Sequence, residues 1–394
     1  MGLFKIVTLI VTLLGLPACT LTKTIVHNFA DLDDHRIFAN REVPRSTQAS
    51  PLRTLPQEPW FLSELSVPDG AGATFKLDAY LARTRTAAFI VLHEDRVVLE
   101  RYGRGFDRQS LLNSFSIAKS VMSTLVGIAL AEGHIAGLDT TVASVCPEFS
   151  GKPYGAATVR ELLTMTSGIA DAPSLLPGRA EMYYGDDLSA AALNARAPAA
   201  NSHGWRYSET DVQVLGFVLQ RAVGMPVSDY LAARLWQPLG MESKALWALD
   251  HEGGTEKTFC CLSARARDFA RFGQLMRDGG RWQGRQIVPA AWAERRGLPG
   301  HRVPDGYVHQ QLWWTPRGSD SPEGTQGDRG DSFAYGHNGQ YLYVNPAARL
   351  VIVKFSETNR QDPVPMFRAL ADAVMAPQHL AEMNRLDAPL LALR

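Results

Sequence analysis

The sequence of 394 residues is 45% hydrophobic and carries 40 basic and 40 acidic residues, so its formal net charge is zero. A chain of this length can bury a large core. The balanced charge excludes both the basic surface that is typical of nucleic-acid-binding proteins and an acidic tail. The composition indicates an ordinary globular protein for which no nucleic-acid partner is expected.

The N-terminus has the pattern of a targeting segment. Lys5 precedes an apolar run over residues 6–16. A run of about 11 residues is too short to span a bilayer and is typical of a signal peptide. We therefore assign residues 1–18 to a signal peptide.

The end of this run, Leu16-Pro17-Ala18-Cys19, resembles the lipobox of bacterial lipoproteins. The resemblance implies cleavage before Cys19 and lipid attachment to its sulfur. With Thr20 rather than Asp in the next position, it also implies sorting to the outer membrane. The expected location is the bacterial cell envelope, with the protein lipid-anchored to the membrane and facing the periplasm. Secretion or a soluble periplasmic form after cleavage at Ala18, and a short uncleaved anchor, are the alternatives.

Residues 19–82 are expected to form a tether and an N-terminal extension. They are polar, lack periodicity and, from Pro51 onward, contain several prolines and glycines. The first regular pattern is a pair of β-rich runs over residues 87–92 and 96–102, separated by a short polar turn. This pattern predicts an antiparallel hairpin.

A long helix is predicted to begin at Ser116 and to end at Gly133. Apolar residues surround it almost completely, which is typical of a buried central helix. Further along the chain, Thr158 and Glu161 form a capping-box pattern at the start of a short helix. Ser208 has the position of an N-cap for another helix.

The segment between these two helices, residues 170–201, is predicted to be mostly loop. It contains Tyr183-Tyr184-Gly185-Asp186-Asp187. We interpret these five residues either as a lid over a site or as an ordinary surface loop.

From Gly306 onward the pattern changes to strands. Strands are predicted over residues 307–314, 333–336, 341–344 and 350–355, with a loop over 316–331 and a closing helix over 365–376. The order is a hairpin, then helices, then an antiparallel meander and a final helix. It predicts an α+β fold in which an antiparallel sheet, built from both ends of the chain and flanked by helices, receives an inserted, mainly helical region.

This order also suggests a division into domains. The α/β domain with the sheet comprises residues 83–112 and 263–376, the helical domain comprises residues 113–262, and residues 377–394 form a C-terminal tail.

The cysteines after residue 19 are Cys146, Cys260 and Cys261. Adjacent cysteines can be bridged only with strained geometry, so no disulfide framework is expected. We interpret all three as small buried apolar residues. The sequence has no spacing typical of a metal site, and we expect neither a metal nor another cofactor.

Ser116 and Lys119 are the first candidates for catalysis. Side chains three residues apart on a helix leave the same face about one turn from each other. A serine hydroxyl becomes a good nucleophile only when its proton is taken, and a nearby lysine can assist. At the N-terminal end of a helix, free N–H groups and the helix dipole also favour developing negative charge. The pair predicts a covalent serine hydrolase; a capping serine beside a solvated lysine is the alternative.

Two further stretches support this prediction. Tyr207 lies just before the helix that Ser208 caps, and the ends of elements are common places for catalytic groups. Residues 335–340, Tyr-Gly-His-Asn-Gly-Gln, lead into a strand. There Gly339 would let a substrate approach the backbone, and the N–H of Gln340 would face an oxyanion. A half-buried core tyrosine and a structural strand histidine are the alternatives.

Ser116-x-x-Lys119, then Tyr207 at a helix start, then His337-x-Gly339 on a late strand resemble the serine β-lactamase and penicillin-recognising superfamily of the class C type. The resemblance runs from about Ala87 to Ala376 and includes residues 162–168, 236–241 and 266–273. The stretch His27-Asn28-Phe29-Ala30-Asp31 is most similar to the branch of 6-aminohexanoate-dimer hydrolases and related carboxylesterases. It implies a β-lactamase/transpeptidase-like fold and a small-molecule amide or ester substrate.

The resemblance also implies catalytic roles. Ser116 would be the acylated nucleophile, and Lys119 would order the proton path between Ser116 and Tyr207. Tyr207 would act as general base and then return the proton to the leaving group, since a neighbouring ammonium favours the ionised phenol. The backbone N–H groups of Ser116 and Gln340 would form the oxyanion hole. Water would then hydrolyse the acyl-enzyme.

The substrate side departs from the superfamily's pattern. His337, Asn338 and Gly339 would contact the substrate, but they stand where the family has Lys-Thr-Gly. Glu209 stands where the family has the asparagine of Tyr-x-Asn. Both changes remove groups that help to bind a β-lactam or a D-alanyl peptide. A serine amidase or esterase is therefore the leading hypothesis; the alternatives are a β-lactamase or D,D-peptidase, and a non-catalytic envelope lipoprotein that binds a partner. The oligomeric state is not predicted.

Overall fold

The structure is a computed structural model that describes residues 20–27, 29–174, 180–198, 204–294, 300–303, 306–316, 329–358 and 361–391. The predicted signal peptide, Cys19 and residues 317–328 of the predicted loop lie outside the described residues.

A mixed, almost entirely antiparallel sheet forms the centre of the molecule. Its nine described strands are, in spatial order, His301–Arg302, Tyr307–Gln310, Trp313–Pro316, Ser332–Gly336, Gln340–Asn345, Leu350–Ser356, Thr86–His93, Arg96–Tyr102 and Arg53–Thr54. The short last strand pairs in parallel with its neighbour. The predicted hairpin is present, and its strand Thr86–His93 pairs with Leu350–Ser356. Both ends of the chain therefore build this sheet, and the predicted α+β fold is confirmed.

Helices cover both faces of the central sheet because its middle strands are apolar on both sides. Side chains alternate between the faces of a strand. In Leu350–Ser356, Ile352 belongs to the core on the side of helix Val364–Met375. Its neighbour Val351 belongs to the other core, against helix Ala266–Arg277. This two-sided burial makes the sheet a rigid base for the adjacent site.

The inserted region is helical. Its longest helices are Ile117–Ala131, here named the nucleophile helix, and Glu209–Val223, here named the tyrosine helix; the two are in contact. The nucleophile helix is buried from Ile117 to Ala129, as predicted for a central helix. The other helices of the region are Val142–Val145, Val159–Thr164, Ala180–Tyr184, Leu188–Leu193 and Val227–Leu231, with a π-helix over Ala232–Trp236 and 3₁₀ turns over Pro147–Phe149 and Pro153–Ala156.

Both predicted helix starts are present. Glu161 N donates to Thr158 Oγ1 at 3.2 Å, and Thr158 N donates to Glu161 Oε2 at 2.8 Å, which completes the capping box. Ser208 caps the tyrosine helix, because its hydroxyl accepts a hydrogen bond from Asp211 N at 3.0 Å.

Segments that were expected to be a tether and a tail contain regular structure. Asn40–Val43 is an edge strand of a second sheet, followed in spatial order by Ala245–Ala248, Leu262–Ala264 and Leu112–Asn113. Its partner strand lies about 200 residues away in sequence, so no local pattern announces the pairing. At the other end, Pro377–Leu391 is a helix whose Met383 is buried.

The strand predicted over residues 307–314 is two strands. Gln311 and Leu312 have φ angles of 50° and 62°, so the chain turns at these two residues and separates the strands on either side. The remaining described elements are helices Thr20–Val26, Trp60–Glu64, Leu77–Arg83 and Ala290–Ala293, a 3₁₀ turn over Asp34–Arg36, and the strand pairs Ser66–Pro68 with Thr74–Lys76 and Arg281–Trp282 with Arg285–Gln286. Among the helices of the described ranges, none combines the length and apolarity that crossing a membrane requires.

Candidate active site

The nucleophile turn, residues 113–116, leads from the second sheet into the nucleophile helix. Phe115 has a φ of 46°, in the left-handed region that residues other than Gly and Asn rarely adopt. The first hydrogen bonds of the helix are donated by the N–H groups of Ile117 and Ala118 to Ser114 O and Phe115 O. The N–H of Ser116 precedes this series at the positive end of the helix dipole.

Lys119 is directed at Ser116, as the helical spacing predicts. Its ammonium donates to Ser116 Oγ at 2.8 Å and to the carbonyl oxygen of Phe259 at 2.7 Å. The side chain is buried, with an exposed fraction of 2%. A lysine in these surroundings is a positioned member of a site, which excludes the alternative of a solvated lysine.

Tyr207 joins this pair although 87 residues separate it from Lys119 in the chain. The Lys119 ammonium lies 4.9 Å from the centroid of the Tyr207 ring. Tyr207 is fixed at the start of the tyrosine helix, and its ring stacks on Trp314 with centroids 6.1 Å apart. The structure thus brings the predicted hydroxyl, ammonium and phenol together around one nitrogen. Their catalytic roles stay predictions.

An aromatic group behind Tyr207 was missed by the sequence analysis. Trp205 Nε1 donates to His309 Nδ1 at 2.9 Å, and both rings contact Trp314. Burial lowers the pKa of His309 to about 3, so this ring is neutral and can accept the indole hydrogen. The sequence signal was Trp205, two residues before the candidate tyrosine; nothing marked His309.

The other side of Ser116 is formed by residues 336–340. A Cβ atom on Gly336 would lie 2.4 Å from Ser114 O, so the strand end and the nucleophile turn touch backbone to backbone. The side chain of Gln340 fastens this hairpin: Nε2 donates to His337 O at 2.6 Å and to Ser356 O at 2.9 Å, and Oε1 accepts from Ser356 N at 2.8 Å. The Gln340 side chain thus fixes the hairpin whose strand end, Gly336, contacts the nucleophile turn, and the place of the Gln340 N–H in an oxyanion hole stays a prediction.

The three predicted substrate-binding residues have different surroundings. His337 lines the cavity in front of Ser116, edge-on to the Phe115 ring at 5.7 Å. Asn338 Nδ2 donates to Ala30 O at 3.1 Å and so holds the stretch of chain around Ala30. A Cβ atom on Gly339 would lie 2.5 Å from Thr358 O, so the glycine serves the packing of the turn.

The cavity has a volume of about 400 Å³, which is typical of a site for a small molecule. Its wall is mostly aromatic and carries few polar side chains. Its rings are those of Phe29, Phe115, Tyr183, Tyr184 and Phe259, and its polar groups are those of Ser116, Glu209 and His337. Tyr183 and Tyr184, for which a lid or a surface loop was expected, therefore line the cavity.

Asp211 has a structural role near this site. It is buried and accepts hydrogen bonds from the hydroxyls of Tyr154 at 2.7 Å, Ser167 at 2.8 Å and Ser208 at 3.0 Å. Burial raises the pKa of Asp211 to about 6, although the three hydroxyls favour its ionised form. The residue links the tyrosine helix to the segment that carries Ser167.

The prediction that Cys260 and Cys261 remain separate thiols is wrong, because the structure joins them in a disulfide. Cys260 lines the cavity next to Phe259, the acceptor of the Lys119 ammonium. Sequence reasoning had expected no such bridge between adjacent cysteines; in the structure Cys261 has a φ of 70°. Cys146 is a buried free thiol, as predicted. In the part of the chain that the structure describes, no group of three or more His, Cys, Asp or Glu residues is arranged to hold a metal.

An α+β core that presents a serine and a lysine at the start of a buried helix, opposite a strand end, defines the class of serine β-lactamase-like proteins. The family model described as Beta-lactamase matches residues 76–375, and the chain belongs to this family.

Three known proteins show how close this relationship is. The chain is 27% identical over 307 residues to the 6-aminohexanoate-dimer hydrolase of Paenarthrobacter ureafaciens, covering 71% of this chain and 74% of that protein. It is 33% identical over 157 residues to esterase EstB of Burkholderia gladioli, covering 35% and 39% of the two chains. A Bacillus anthracis structure named provisionally as a 6-aminohexanoate-dimer hydrolase superposes with a TM-score of 0.74 at 22% identity, covering 89% of this chain and 92% of that one. The family model confirms the predicted superfamily, and the chain is similar to a 6-aminohexanoate-dimer hydrolase, the branch that the sequence resembles.

Proposed function

We propose that this protein is a serine hydrolase that cleaves a small amide or ester through an acyl-enzyme on Ser116. The observation that carries the proposal is the 2.8 Å hydrogen bond from the buried Lys119 ammonium to the hydroxyl of Ser116, which lines the cavity. Membership of the β-lactamase family supports it, as do relatives named as a 6-aminohexanoate-dimer hydrolase and an esterase.

The contacts suggest how Ser116 is activated. Because Lys119 donates to Ser116 Oγ, the hydroxyl hydrogen of Ser116 is available to a base on another side. In our proposal Tyr207 takes this proton while the oxygen attacks the substrate carbonyl carbon. The Lys119 ammonium, close to both groups, stabilises the phenolate form of the base.

The later steps use the same groups. The N–H groups of Ser116 and Gln340 stabilise the oxyanion of the tetrahedral intermediate. Tyr207 then gives its proton to the leaving amine or alcohol, and the acyl-enzyme forms. A water molecule that loses a proton to Tyr207 then attacks the acyl carbonyl and gives a second tetrahedral intermediate. This intermediate expels the Ser116 oxygen, which takes the proton back from Tyr207, and the acid is released. This sequence predicts ping-pong kinetics.

The cavity favours a neutral or cationic substrate over an anionic one. Glu209 contributes a carboxylate to the wall, and His337 stands where a lysine would attract the carboxylate of a β-lactam. The aromatic rings suit an aliphatic or aromatic acyl group. An esterase or amidase therefore fits the site better than a β-lactamase or a D,D-peptidase.

The first experiment is covalent labelling of the purified protein with a fluorophosphonate probe. We expect the wild type to be labelled and Ser116→Ala to be unlabelled. Ser120→Ala is the matched control: Ser120 lies one turn further along the same helix, where its buried hydroxyl bonds Leu312 O at 2.6 Å. Absence of labelling in folded wild type would reject the hydrolase and favour the non-catalytic binding protein.

A substrate panel then separates the enzyme classes. We expect turnover of short p-nitrophenyl esters or of 6-aminohexanoate dimer, and much slower turnover of a chromogenic cephalosporin. Rapid cephalosporin hydrolysis with no ester turnover would favour the β-lactamase alternative.

The proposed location is the bacterial cell envelope, with lipid on Cys19 and the enzyme facing the periplasm. The support is the sequence alone, namely the apolar run over residues 6–16 and the Leu-Pro-Ala-Cys pattern after it. Metabolic labelling with a palmitate analogue should mark the wild type and not Cys19→Ser. Unlabelled protein in the soluble periplasmic fraction would indicate simple secretion instead.

A further inference from the structure

We propose that Asp34, Tyr183 and Asn113 are positioning residues that hold the nucleophile turn in its reactive shape. The N-terminal segment, here residue 27 together with residues 29–34, is then a working part of the active site. The inference deepens the proposed function and rests on it. The sequence analysis did not single out Asp34 or Asn113, and it considered Tyr183 only as part of a lid or a surface loop.

A continuous chain of hydrogen bonds connects the N-terminal segment to the backbone beside Ser116. The Tyr183 hydroxyl donates to Asp34 Oδ2 at 2.6 Å. Asn113 Nδ2 donates to the Tyr183 oxygen at 3.1 Å, and Asn113 Oδ1 accepts from the N–H of Phe115 at 3.1 Å. Each link orients the next, because a fixed phenol oxygen determines which way the Asn113 amide points.

The chain ends at the residue that needs support. Phe115 has the left-handed φ of 46°, and the next residue is Ser116. A bulky residue keeps such a conformation only where its surroundings impose it. The bond from Phe115 N–H to Asn113 Oδ1 imposes it from one side, and the close packing of Gly336 on Ser114 O imposes it from the other.

The start of the chain is equally well fixed. Asp34 has an exposed fraction of 6%, and its Oδ2 also accepts from Asp31 N at 2.8 Å. Leu32 O accepts from the N–H of Asn113 at 2.7 Å, which ties the same segment to the nucleophile turn by backbone. Burial and the adjacent Asp34 carboxylate raise the pKa of Tyr183 well above its usual value, so its hydroxyl stays a donor.

The N-terminal segment also reaches the other walls of the cavity. Tyr184 donates its hydroxyl to His27 O, and Asn338 Nδ2 donates to Ala30 O at 3.1 Å. Phe29 and Ala30 line the cavity themselves. The segment therefore bridges the nucleophile turn, the tyrosine-bearing wall and the turn before Gln340, the three parts whose mutual placement the reaction requires.

The test compares Asp34→Ala with Asp34→Asn in the full-length protein. Asparagine keeps an oxygen that can accept from Tyr183, whereas alanine removes the acceptor. Asp34 does not line the cavity, so KM for p-nitrophenyl acetate should change little. We expect Asp34→Ala to lower kcat and the rate of fluorophosphonate labelling by about tenfold or more, and Asp34→Asn to restore most of the loss. A residue that only stabilises the fold would change the melting temperature and leave both rates unchanged.

Two further variants make the result decisive. Asp33→Ala is the matched control. It removes the carboxylate next to Asp34 in the sequence, which pairs with Arg36 at the surface at 3.0 Å. Tyr183→Phe keeps the ring in the cavity wall and cuts both links of the chain; it decides the question if Asp34→Ala does not fold. Folded Asp34→Ala and Tyr183→Phe proteins that are labelled at the wild-type rate would overturn the inference and leave the proposed function standing. A wild type that is not labelled would reject the proposed function, and the inference with it.

Discussion

The contact between Gly336 and Ser114 gives the most direct test of the active-site geometry. In Gly336→Ala, the new Cβ atom would lie 2.4 Å from Ser114 O, 3.1 Å from Phe115 Cβ and 3.2 Å from Gln340 Cβ, whereas ordinary contact begins at 3.4 Å. Ser114 O cannot turn away cheaply, because it accepts the first hydrogen bond of the nucleophile helix from Ile117 N. The strand end and the nucleophile turn must therefore separate by about 1 Å.

A separation of this size moves the N–H of Gln340 away from the position of the developing oxyanion. A misplacement of about 1 Å can cost roughly 100-fold in rate, which corresponds to about 2.7 kcal/mol of transition-state stabilisation. We expect this loss in kcat for p-nitrophenyl acetate, measured in steady state, with circular dichroism showing a retained fold.

The matched control is Gly137→Ala, since a Cβ atom on Gly137 would have nothing within 4 Å. It should retain wild-type kcat. If folded Gly336→Ala also retained wild-type kcat, the proposal that these two backbone segments determine the oxyanion geometry would be refuted.

Three other substitutions test the site. Tyr207→Phe keeps the stacking on Trp314 and removes the proposed base. We therefore expect kcat/KM for the same ester to fall about 1000-fold while the melting temperature is unchanged. A loss of less than tenfold would contradict the assignment of Tyr207 as the base. Glu209→Gln removes a carboxylate from the cavity wall, so turnover of an anionic cephalosporin should rise severalfold relative to turnover of a neutral ester. If the ratio of these two turnover rates did not change, the Glu209 charge would not select substrates. Burial raises the pKa of Asp211 to about 6, so the contribution of this group to the unfolding free energy is present below pH 4 and is lost as the pH rises through 6. Relative to Asp211→Asn, the wild type should therefore lose about 3 kcal/mol of unfolding free energy between pH 4 and 7, measured by urea titration. If the two proteins gave parallel curves of unfolding free energy against pH, the burial argument would be refuted.

Local patterns explain why part of the site could be predicted from the sequence. The spacing of Ser116 and Lys119 fixes their relative placement through helix geometry alone, and the structure gives the expected contact. The capping box at Thr158 and the cap at Ser208 likewise depend on residues at most three positions apart. Tyr207 followed from the same logic, because a capped helix start is visible in the sequence.

Other features depend on contacts between distant parts of the chain. Gly339 was interpreted as room for a substrate, but its neighbour is the carbonyl of Thr358, which only the pairing of two strands brings there. Asp211 is buried among three hydroxyls that come from three segments of the chain, and no spacing in the sequence marks this arrangement. Hydrogen bonds of this kind leave no period in the sequence.

The sequence by itself determined the class of fold and the pairing of the candidate nucleophile Ser116 with Lys119, because helix periodicity, strand alternation and capping act over a few residues. Only the tertiary structure decided what surrounds these two residues. It places Gly336 against the nucleophile turn, packs aromatic rings behind Tyr207, and connects Asp34 of the N-terminal segment to Asn113 through the Tyr183 hydroxyl. Those contacts join residues up to about 220 positions apart in sequence, and their formation depends on how sheets and helices pack rather than on any local preference.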